Sequence, residues 1–207
     1  MDIDIVNTNI EEMLVYRGDD VSIFKEHLLS MNKEDFETDR NVIDIQTSNT
    51  SVIYALTKKL RKMIIDELKE KIKDSNNNIN DFTSKYGSKI NVILIFNNES
   101  ISTTVKSLLN KYDKFFQKNG GQLQYFTLQQ LMFNPTKHEY VPTHTKLTEE
   151  EAKEFMKEYM TRTKMHMHAI LQSDPIAKWI GLKHGDIVKI NRYNENSGES
   201  FSYRSCI

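Results

Sequence analysis

Apolar residues recur along this chain with two periods, one typical of helices and one typical of strands. Between residues 58 and 73 they occupy every fourth position, on one face of a predicted helix: Leu60, Ile64, Leu68 and Ile72. A continuous apolar run from Ile90 to Phe96 follows, the pattern of a strand buried on both faces. A second helix is predicted over residues 102–116. Strand, helix and strand in this order predict an α/β domain with crossover connections.

The same two periods predict the other helices and strands of the front half. Helical spacing predicts two helices near residues 10–17 and 21–31. Two short β-prone segments, 42–46 and 52–56, are separated by a Thr, Ser and Asn loop typical of a hairpin. Over residues 123–133 the apolar positions fit a strand and a helix equally well. We therefore predict a mixed sheet with flanking helices.

The last third of the chain contains a predicted short helix whose start and end both have clear sequence signals. Asp174 is a favourable N-cap because its carboxylate accepts from free backbone N–H groups, and Pro175 has no N–H to lose at the first helical position. Gly181 ends this helix and Gly185 permits a second reversal, so we predict positive φ at both. Trp179 lies on the apolar stripe, and we favour a core position over a partner-facing one.

A β-hairpin is predicted after this helix. Residues 186–192 are rich in β-branched side chains, and aromatic and polar residues alternate over residues 199–206. Thr148 and Glu151 have the spacing of a capping box, which predicts another helix upstream. The pattern is typical of a small α+β domain.

Two prolines separate these regions. Asn134-Pro135 and Val141-Pro142 interrupt helical geometry, because the residue before a proline is driven out of the helical region. We predict one domain over residues 1–137 and a smaller one over residues 138–207.

Charge does not indicate a nucleic-acid clamp. The chain has 28 basic and 29 acidic residues, of which 18 and 20 precede residue 141. Non-specific binding depends on dense phosphate neutralisation, so we expect the front domain to bind DNA weakly by itself.

The candidates for chemistry are few. Cys206 is the only cysteine, which excludes an internal disulfide and a cysteine-based zinc site. His166 and His168 alternate with methionines, but no third ligand lies nearby in the sequence, so we expect a solvated loop or packed methionines. We expect no metal, no cofactor and no catalytic site. The longest aliphatic or aromatic run is Val92 to Phe96 and the segment Met1 to Ile10 has no apolar core, so we expect no membrane span or signal peptide.

Several motifs of the last third occur together in one known family. In chain order they are Val141-Pro142-Thr143-His144, the helix from Thr148, Ser173-Asp174-Pro175, the stretch from Gly181 to Ile190, Ser197-Gly198 and Ser202-Tyr203-Arg204. This region resembles the assembly domain of RNA polymerase subunit 5, which the eukaryotic nuclear RNA polymerases share. Archaeal RNA polymerases have a small subunit that consists of this domain alone. The preceding 140 residues resemble the N-terminal jaw domain of the eukaryotic subunit in the order of their first two helices.

The resemblance implies a non-catalytic subunit of a multisubunit DNA-directed RNA polymerase. The C-terminal domain would dock on the largest subunit, among the other polymerase subunits, and the front domain would place a jaw near downstream double-stranded DNA. A cellular gene implies the nucleus, a viral gene implies the virion or the host-cell cytoplasm, and the sequence leaves both sources open. A domain this small also buries little surface when it folds, so we expect an interface with a partner to add to its stability.

The final hairpin is the predicted docking surface. We expect the two helices of this domain to cover one face of the hairpin and to leave the other open. Arg192, Tyr203 and Arg204 are the predicted anchors, because arginine and tyrosine often dominate binding energy at interfaces, and Ile187 is included with them. The resemblance points to the same hairpin.

The jaw resemblance adds one loop. Family members have a Thr-Pro-Ser-Ala motif after an Asn-rich turn; here the asparagines match, Ile101 replaces the proline and Ser102 is retained. The resemblance thereby implies a DNA-proximal loop at Asn98, Ser100 and Ser102. A second interpretation, which we favour, is that Ser100 or Ser102 caps the following helix.

The alternative function is a free-standing nucleic-acid enzyme or regulator of endonuclease-like fold, because the jaw family shares its α/β topology with such enzymes. Asp44 lies on a predicted strand, as a metal-binding carboxylate would. These enzymes need two carboxylates and a lysine around a divalent metal, and residues 51–57 of the next strand contain no acid-x-lysine pair. We therefore favour the structural subunit.

Overall fold

A computed structural model describes residues 3–31, 36, 42–73, 91–97, 101–118, 120–159, 163–196 and 198–207, with the side chains of residues 68–73 and 165 left aside. The chain divides into two compact units, Met1–Phe133 and Asn134–Ile207. In the part of the chain that is described, each unit has a four-stranded sheet with helices, so the predicted α/β fold in two parts is confirmed. The boundary predicted between residues 137 and 138 lies slightly later in the chain, and the independent folding of each part stays a prediction.

The front unit is a mixed sheet with helices before, between and after its strands. The strands, in the spatial order β1-β2-β3-β4, are β1 (Ile43–Gln46), β2 (Thr50–Ala55), β3 (Asn91–Phe96) and β4 (Gln122–Thr127). β1 pairs antiparallel with β2, whereas β2, β3 and β4 are parallel. The helices are α1 (Ile3–Tyr16), α2 (Ser22–Ser30), α3 (Lys58–Lys73), α4 (Thr103–Lys118) and α5 (Leu128–Leu131).

The two crossover helices and the central strand share one core. Ile64 of α3 and Phe116 of α4 are buried with Leu94 and Phe96 of β3. Full burial of one such side chain contributes about 1.5–3 kcal/mol, so the apolar stripe of each helix determines which side faces the sheet. The polar sides of α3 and α4 are left toward solvent.

The structure extends two sequence predictions in this unit. The first helix begins at Ile3, earlier than the apolar spacing indicates. The ambiguous segment after residue 122 contains both kinds of element, since β4 ends at Thr127 and α5 begins at once. Thr127 and Gln130 form a capping box, with the Gln130 N–H donating to the Thr127 hydroxyl, and this local signal ends the strand.

The C-terminal unit has a second mixed sheet, in the order β5-β7-β8-β6. Its strands are β5 (Thr143–Lys146), β6 (His168–Ile170), β7 (Ile187–Asn194) and β8 (Gly198–Cys206). β7 is antiparallel to β5 and β8, and β6 is parallel to β8. Its helices are α6 (Glu149–Glu158) and α7 (Pro175–Trp179), with 3₁₀ turns at Pro135–Lys137 and Lys164–His166.

Two of these strands lack a sequence signal. β5 has no buried residue, and β6 is three residues long. Both exist because they pair with distant strands, which local periodicity does not detect. The predicted loop at His166 and His168 is therefore wrong in part, because His168 begins β6. Both imidazoles are exposed.

The turn and cap residues of α7 have the predicted geometry. The Asp174 carboxylate accepts from the N–H groups of Ile176 and Ala177 at 2.8 and 3.3 Å, and Pro175 is the first helical residue. Trp179 is 2% exposed, which confirms the core interpretation.

Gly181 has φ 69° and Gly185 has φ 88°. The N–H of Gly181 donates to Lys178 O and that of Leu182 to Ala177 O, which is the paired hydrogen-bond pattern of a Schellman motif. The chain reverses at Gly181 because this motif needs a left-handed residue. Among the described residues, no helix is long and apolar enough to cross a membrane.

Candidate docking surface

Strand alternation and pairing register divide the C-terminal sheet into two faces. On one face lie basic residues from all four strands: His144, Lys146, His168, Arg192 and Arg204. We call this the arginine face. On the other lie aromatic residues of the hairpin with one lysine between the strands: Lys189, Tyr193, Phe201 and Tyr203. We call this the aromatic face. The two faces differ in chemistry, so they suit different contacts.

The arginine face combines basic residues with buried apolar ones. Val188 and Ile190 of β7 lie on this same face and are 0% and 1% exposed, so part of the face is covered within the unit. Arg192 is exposed and Arg204 is half-buried. Lys146 forms an ion pair with Asp186 at 2.6 Å, and the Asp186 carboxylate also accepts from the Lys183 N–H. The fixed strands thus hold two guanidinium groups on one rigid surface.

His144 lies beside these arginines. Its Nδ1 donates to the Pro142 carbonyl at 2.7 Å, which fixes the ring orientation. Burial lowers the pKa of His144, and the positive charges of Arg204 and Arg192 lower it further, while the Pro142 hydrogen bond and the Asp174 charge act in the opposite direction. The influence of Asp174 also indicates that the start of α7 lies next to this face.

The aromatic face is covered in part by α6, which corrects one sequence prediction. The ring of Tyr203 stacks on Phe155 of α6 with centroids 4.1 Å apart, and Tyr159 lies 5.9 Å from the same ring. The two helices therefore do not share one face of the hairpin, because α6 lies on the side of Tyr203 and α7 beside the side of Arg204. Tyr203 already packs on Phe155 and Tyr159 of its own unit, and these contacts compete with its predicted role as a docking anchor.

Ile187 is also misplaced by the sequence prediction. Its side chain is 1% exposed within the unit itself, so it belongs to the core and offers no surface to a partner. The sequence places Phe155 on the apolar side of α6, but it does not reveal the stacking of Phe155 on Tyr203, which puts α6 on the aromatic face. Phe155 and Tyr159 are spaced four residues apart, the helical spacing that puts both on one side of α6.

In the front unit, only part of the predicted DNA-proximal loop can be placed. Asn98 and Ser100 lie outside the described residues. Ser102 is exposed at the start of α4, where its hydroxyl accepts from the Val105 N–H at 3.4 Å and is 3.0 Å from the Thr104 hydroxyl. This geometry agrees with the capping interpretation, and a DNA contact by Ser102 stays a prediction.

Asp44, the residue considered for an endonuclease-like site, lies on edge strand β1. Its carboxylate accepts hydrogen bonds from the Ser51 hydroxyl and, at 3.5 Å, from the Gln46 amide. Burial raises the pKa of Asp44, and these two hydrogen bonds oppose that shift. Within the described ranges, no three His, Cys, Asp or Glu side chains are grouped so that they could hold a metal ion. The surroundings of Asp44 thus give no specific support to nuclease chemistry.

Known proteins match the part of the chain that carries these two faces. Residues 133–206 match the family model of the RNA polymerase Rpb5, C-terminal domain. The resemblance to RNA polymerase subunit 5 is confirmed in this region. The matched residues include the arginine face, the aromatic face and the turns that connect them.

The chain is also similar to two named proteins. The DNA-directed RNA polymerases I, II, and III subunit rpabc1 of Dictyostelium discoideum is 35% identical over 94 residues, which are 45% of this chain and 47% of that protein. The corresponding subunit RPABC1 of Caenorhabditis briggsae is 39% identical over 82 residues, 40% of this chain and 38% of that protein. The chain thus spans less than half the length of these relatives.

Proposed function

We propose that this chain is a structural, non-catalytic subunit of a multisubunit DNA-directed RNA polymerase. The C-terminal unit docks on the largest subunit, and the front unit forms a jaw near downstream double-stranded DNA. The observation that carries the proposal is the match of residues 133–206 to the Rpb5 C-terminal domain. The names of the two relatives support the same assembly, since both are subunits of DNA-directed RNA polymerases. A cellular gene places the subunit in the nucleus, and a viral gene places it in the virion or host-cell cytoplasm.

The arginine face is the docking surface that the geometry favours. Arg192 and Arg204 project from the paired strands β7 and β8, and His144 lies on the same face. Arginine binds carboxylates through two parallel N–H donors, so an acidic segment of the partner would fit this surface. The aromatic face is the weaker candidate, because Tyr203 is already stacked on Phe155.

Affinity purification tests this proposal. Tagged full-length chain, expressed in its native source, is expected to co-purify with the largest polymerase subunit and its associated chains. The Arg192→Ala/Arg204→Ala double variant should recover the largest subunit at a yield at least about tenfold lower, since removal of one member of a buried charge pair costs about 2–5 kcal/mol.

The matched control is Lys153→Ala, which removes an exposed basic side chain from α6 and should leave the yield unchanged. Melting of each variant, followed by Trp179 fluorescence, establishes that the fold is intact. Co-purification of the double arginine variant at wild-type yield would place docking elsewhere, with the exposed part of the aromatic face as the next candidate. Failure of the unaltered chain to recover any large polymerase subunit would refute the proposed function itself.

A further inference from the structure

Helix α4 of the front unit presents a surface of a single charge sign. Its exposed positions carry four lysines and neutral polar residues: Thr103, Thr104, Lys106, Ser107, Asn110, Lys111, Lys114 and Lys118. Asp113 is the one acidic residue in the sequence of this helix. It is half-buried and accepts from the N–H of Leu123 at 3.0 Å and from the amide of Gln117 at 2.6 Å. We call the four lysines the lysine face.

Helices α6 and α1 do not show this segregation. On α6, Lys153 and Lys157 are interspersed with glutamates, and α1 carries exposed and half-buried acids. The front 140 residues have more acidic than basic side chains, so four lysines without an exposed acid are a local concentration of positive charge. Charge totals cannot reveal it.

The lysine face is held rigidly and has room for a ligand. Leu109, Tyr112 and Phe116 bury the opposite side of α4 in the core of the front unit. On the exposed side, one shallow depression is lined by Thr103, Lys106, Ser107, Asn110, Lys111 and Lys114. A second lies between the starts of α3 and α4, and its lining includes Lys58, Arg61, Lys62 and Ser102 together with Asp66. Basic residues of α3 thus lie next to the start of α4.

We propose that the lysine face binds the phosphate backbone of double-stranded nucleic acid without sequence preference. Lys106 and Lys118 are about 18 Å apart along the helix at a rise of 1.5 Å per residue. A duplex offers about ten phosphates over that length of its axis, at roughly one per 1.7 Å. Lysine ammonium groups act as point charges on phosphates, and such contacts position a protein without reading bases.

The choice of duplex over single strand follows from the aromatic residues. Proteins that bind single strands combine basic grooves with exposed aromatic rings on which bases stack. On α4, Tyr112 and Phe116 are buried, and Phe115 is half-buried at the core. The lysine face therefore offers charge and hydrogen-bond donors without a stacking platform. This inference rests on the proposed function in placing the front unit near duplex DNA, and it adds the surface that would meet the phosphates.

Fluorescence anisotropy tests the lysine face on the full-length chain alone. The probe is a labelled duplex DNA of arbitrary sequence, titrated at several salt concentrations. Four phosphate contacts predict a slope of log K against log salt of about −3.6, which corresponds to an affinity loss of about 100-fold between about 50 and 200 mM salt. In the Lys111→Gln/Lys114→Gln variant the slope should fall in magnitude to about −1.8.

Two controls isolate the effect. Lys153→Gln/Lys157→Gln removes the same charge from α6 and should leave affinity and slope unchanged, and Lys111→Arg/Lys114→Arg should bind like the unaltered chain. Duplex binding with these variant responses would support the lysine face. No duplex binding at about 50 mM salt, an unchanged slope in the Lys→Gln α4 variant, an equal loss in the α6 variant, or tighter binding to a single strand of the same length would each overturn it.

Co-purification separates this inference from the proposed function. The Lys111→Gln/Lys114→Gln variant should recover the largest polymerase subunit at wild-type yield, because the change lies outside the C-terminal unit. Normal recovery with no DNA binding by the unaltered chain would refute the lysine face alone. DNA binding with no recovery of polymerase chains would refute the proposed function and would leave the phosphate-binding surface in place.

Discussion

Gly181 offers the most direct test of how the C-terminal unit is held together. It has φ 69°, a left-handed conformation in which any L-amino acid with a side chain at Cβ is strained. Its conformation aims two N–H groups back at α7, from Gly181 to Lys178 O at 3.2 Å and from Leu182 to Ala177 O at 2.9 Å. Leu182 is 1% exposed, so the turn also seats an apolar residue in the core.

The expected cost of substitution follows from this geometry. Gly181→Ala should destabilise the unit by about 1–2 kcal/mol, the penalty for an L-residue in the left-handed helical region. Gly181→Val should cost more, about 1–3 kcal/mol and toward the upper end, because a β-branched residue is poorly tolerated there. Gly181→Asn should cost least, since asparagine visits this region most readily among residues with a Cβ. One kcal/mol corresponds to a melting shift of about 4–8 °C for a domain of 60–100 residues.

Trp179 makes the assay selective. It is the only tryptophan of the chain, it is buried, and it lies two residues from Gly181, so its fluorescence reports on this turn in the full-length protein. Melting curves should rank the variants from most to least stable as wild type, Asn, Ala and Val. Equal destabilisation by Asn and Val would show that crowding, and not the positive φ, governs the position. A Val variant that melts like the wild type would refute the cap assignment.

Two further predictions concern the same unit. Asp174→Ala should cost about 0.5–2 kcal/mol in a denaturant titration followed by Trp179 fluorescence, because two N–H groups lose their acceptor, and Asp174→Asn should retain most of the stability. The pKa of His144 is lowered in the folded state, so its contribution to stability is present above about pH 6.5 and is lost as the pH falls toward the folded pKa. Melting temperatures measured from pH 8 down to 5 should therefore fall less steeply in His144→Gln, and identical profiles would contradict the burial of the imidazole.

The sequence predicts elements best where the signal is local and strong. α3 matches its predicted bounds because apolar residues repeat along it without interruption, and the Asp174 cap and the Gly181 stop are chemical requirements of single positions. β5 and β6 were not predicted because their residues form strands through pairing with β7 and β8. Such pairing depends on contacts far apart in the sequence, so a short polar strand leaves no periodic trace.

The same distinction explains the outcome for the docking residues. Strand alternation correctly separates Tyr203 from Arg204, but it does not tell which helix covers which side. The stacking of Phe155 on Tyr203 decides that question, and the burial of Ile187 follows from the three-dimensional arrangement. We favour the arginine face because Tyr203, the anchor on the other face, is stacked on Phe155 of its own unit.

The net charge of the front residues does not show how the charges are placed on the surface. A count over the front residues gives 18 basic and 20 acidic side chains and predicts weak binding to polyanions. Local binding depends on where the charges lie on the surface as well as on the net charge, and the fold determines their positions. Because α4 turns its apolar residues into the core, its lysines lie together on the outside. Asp113 is withdrawn from that surface by its bonds to Leu123 and Gln117. Binding that is weak at physiological salt and strongly salt-dependent at low salt is consistent with both the total and the distribution, since a few lysines act locally against a negative whole.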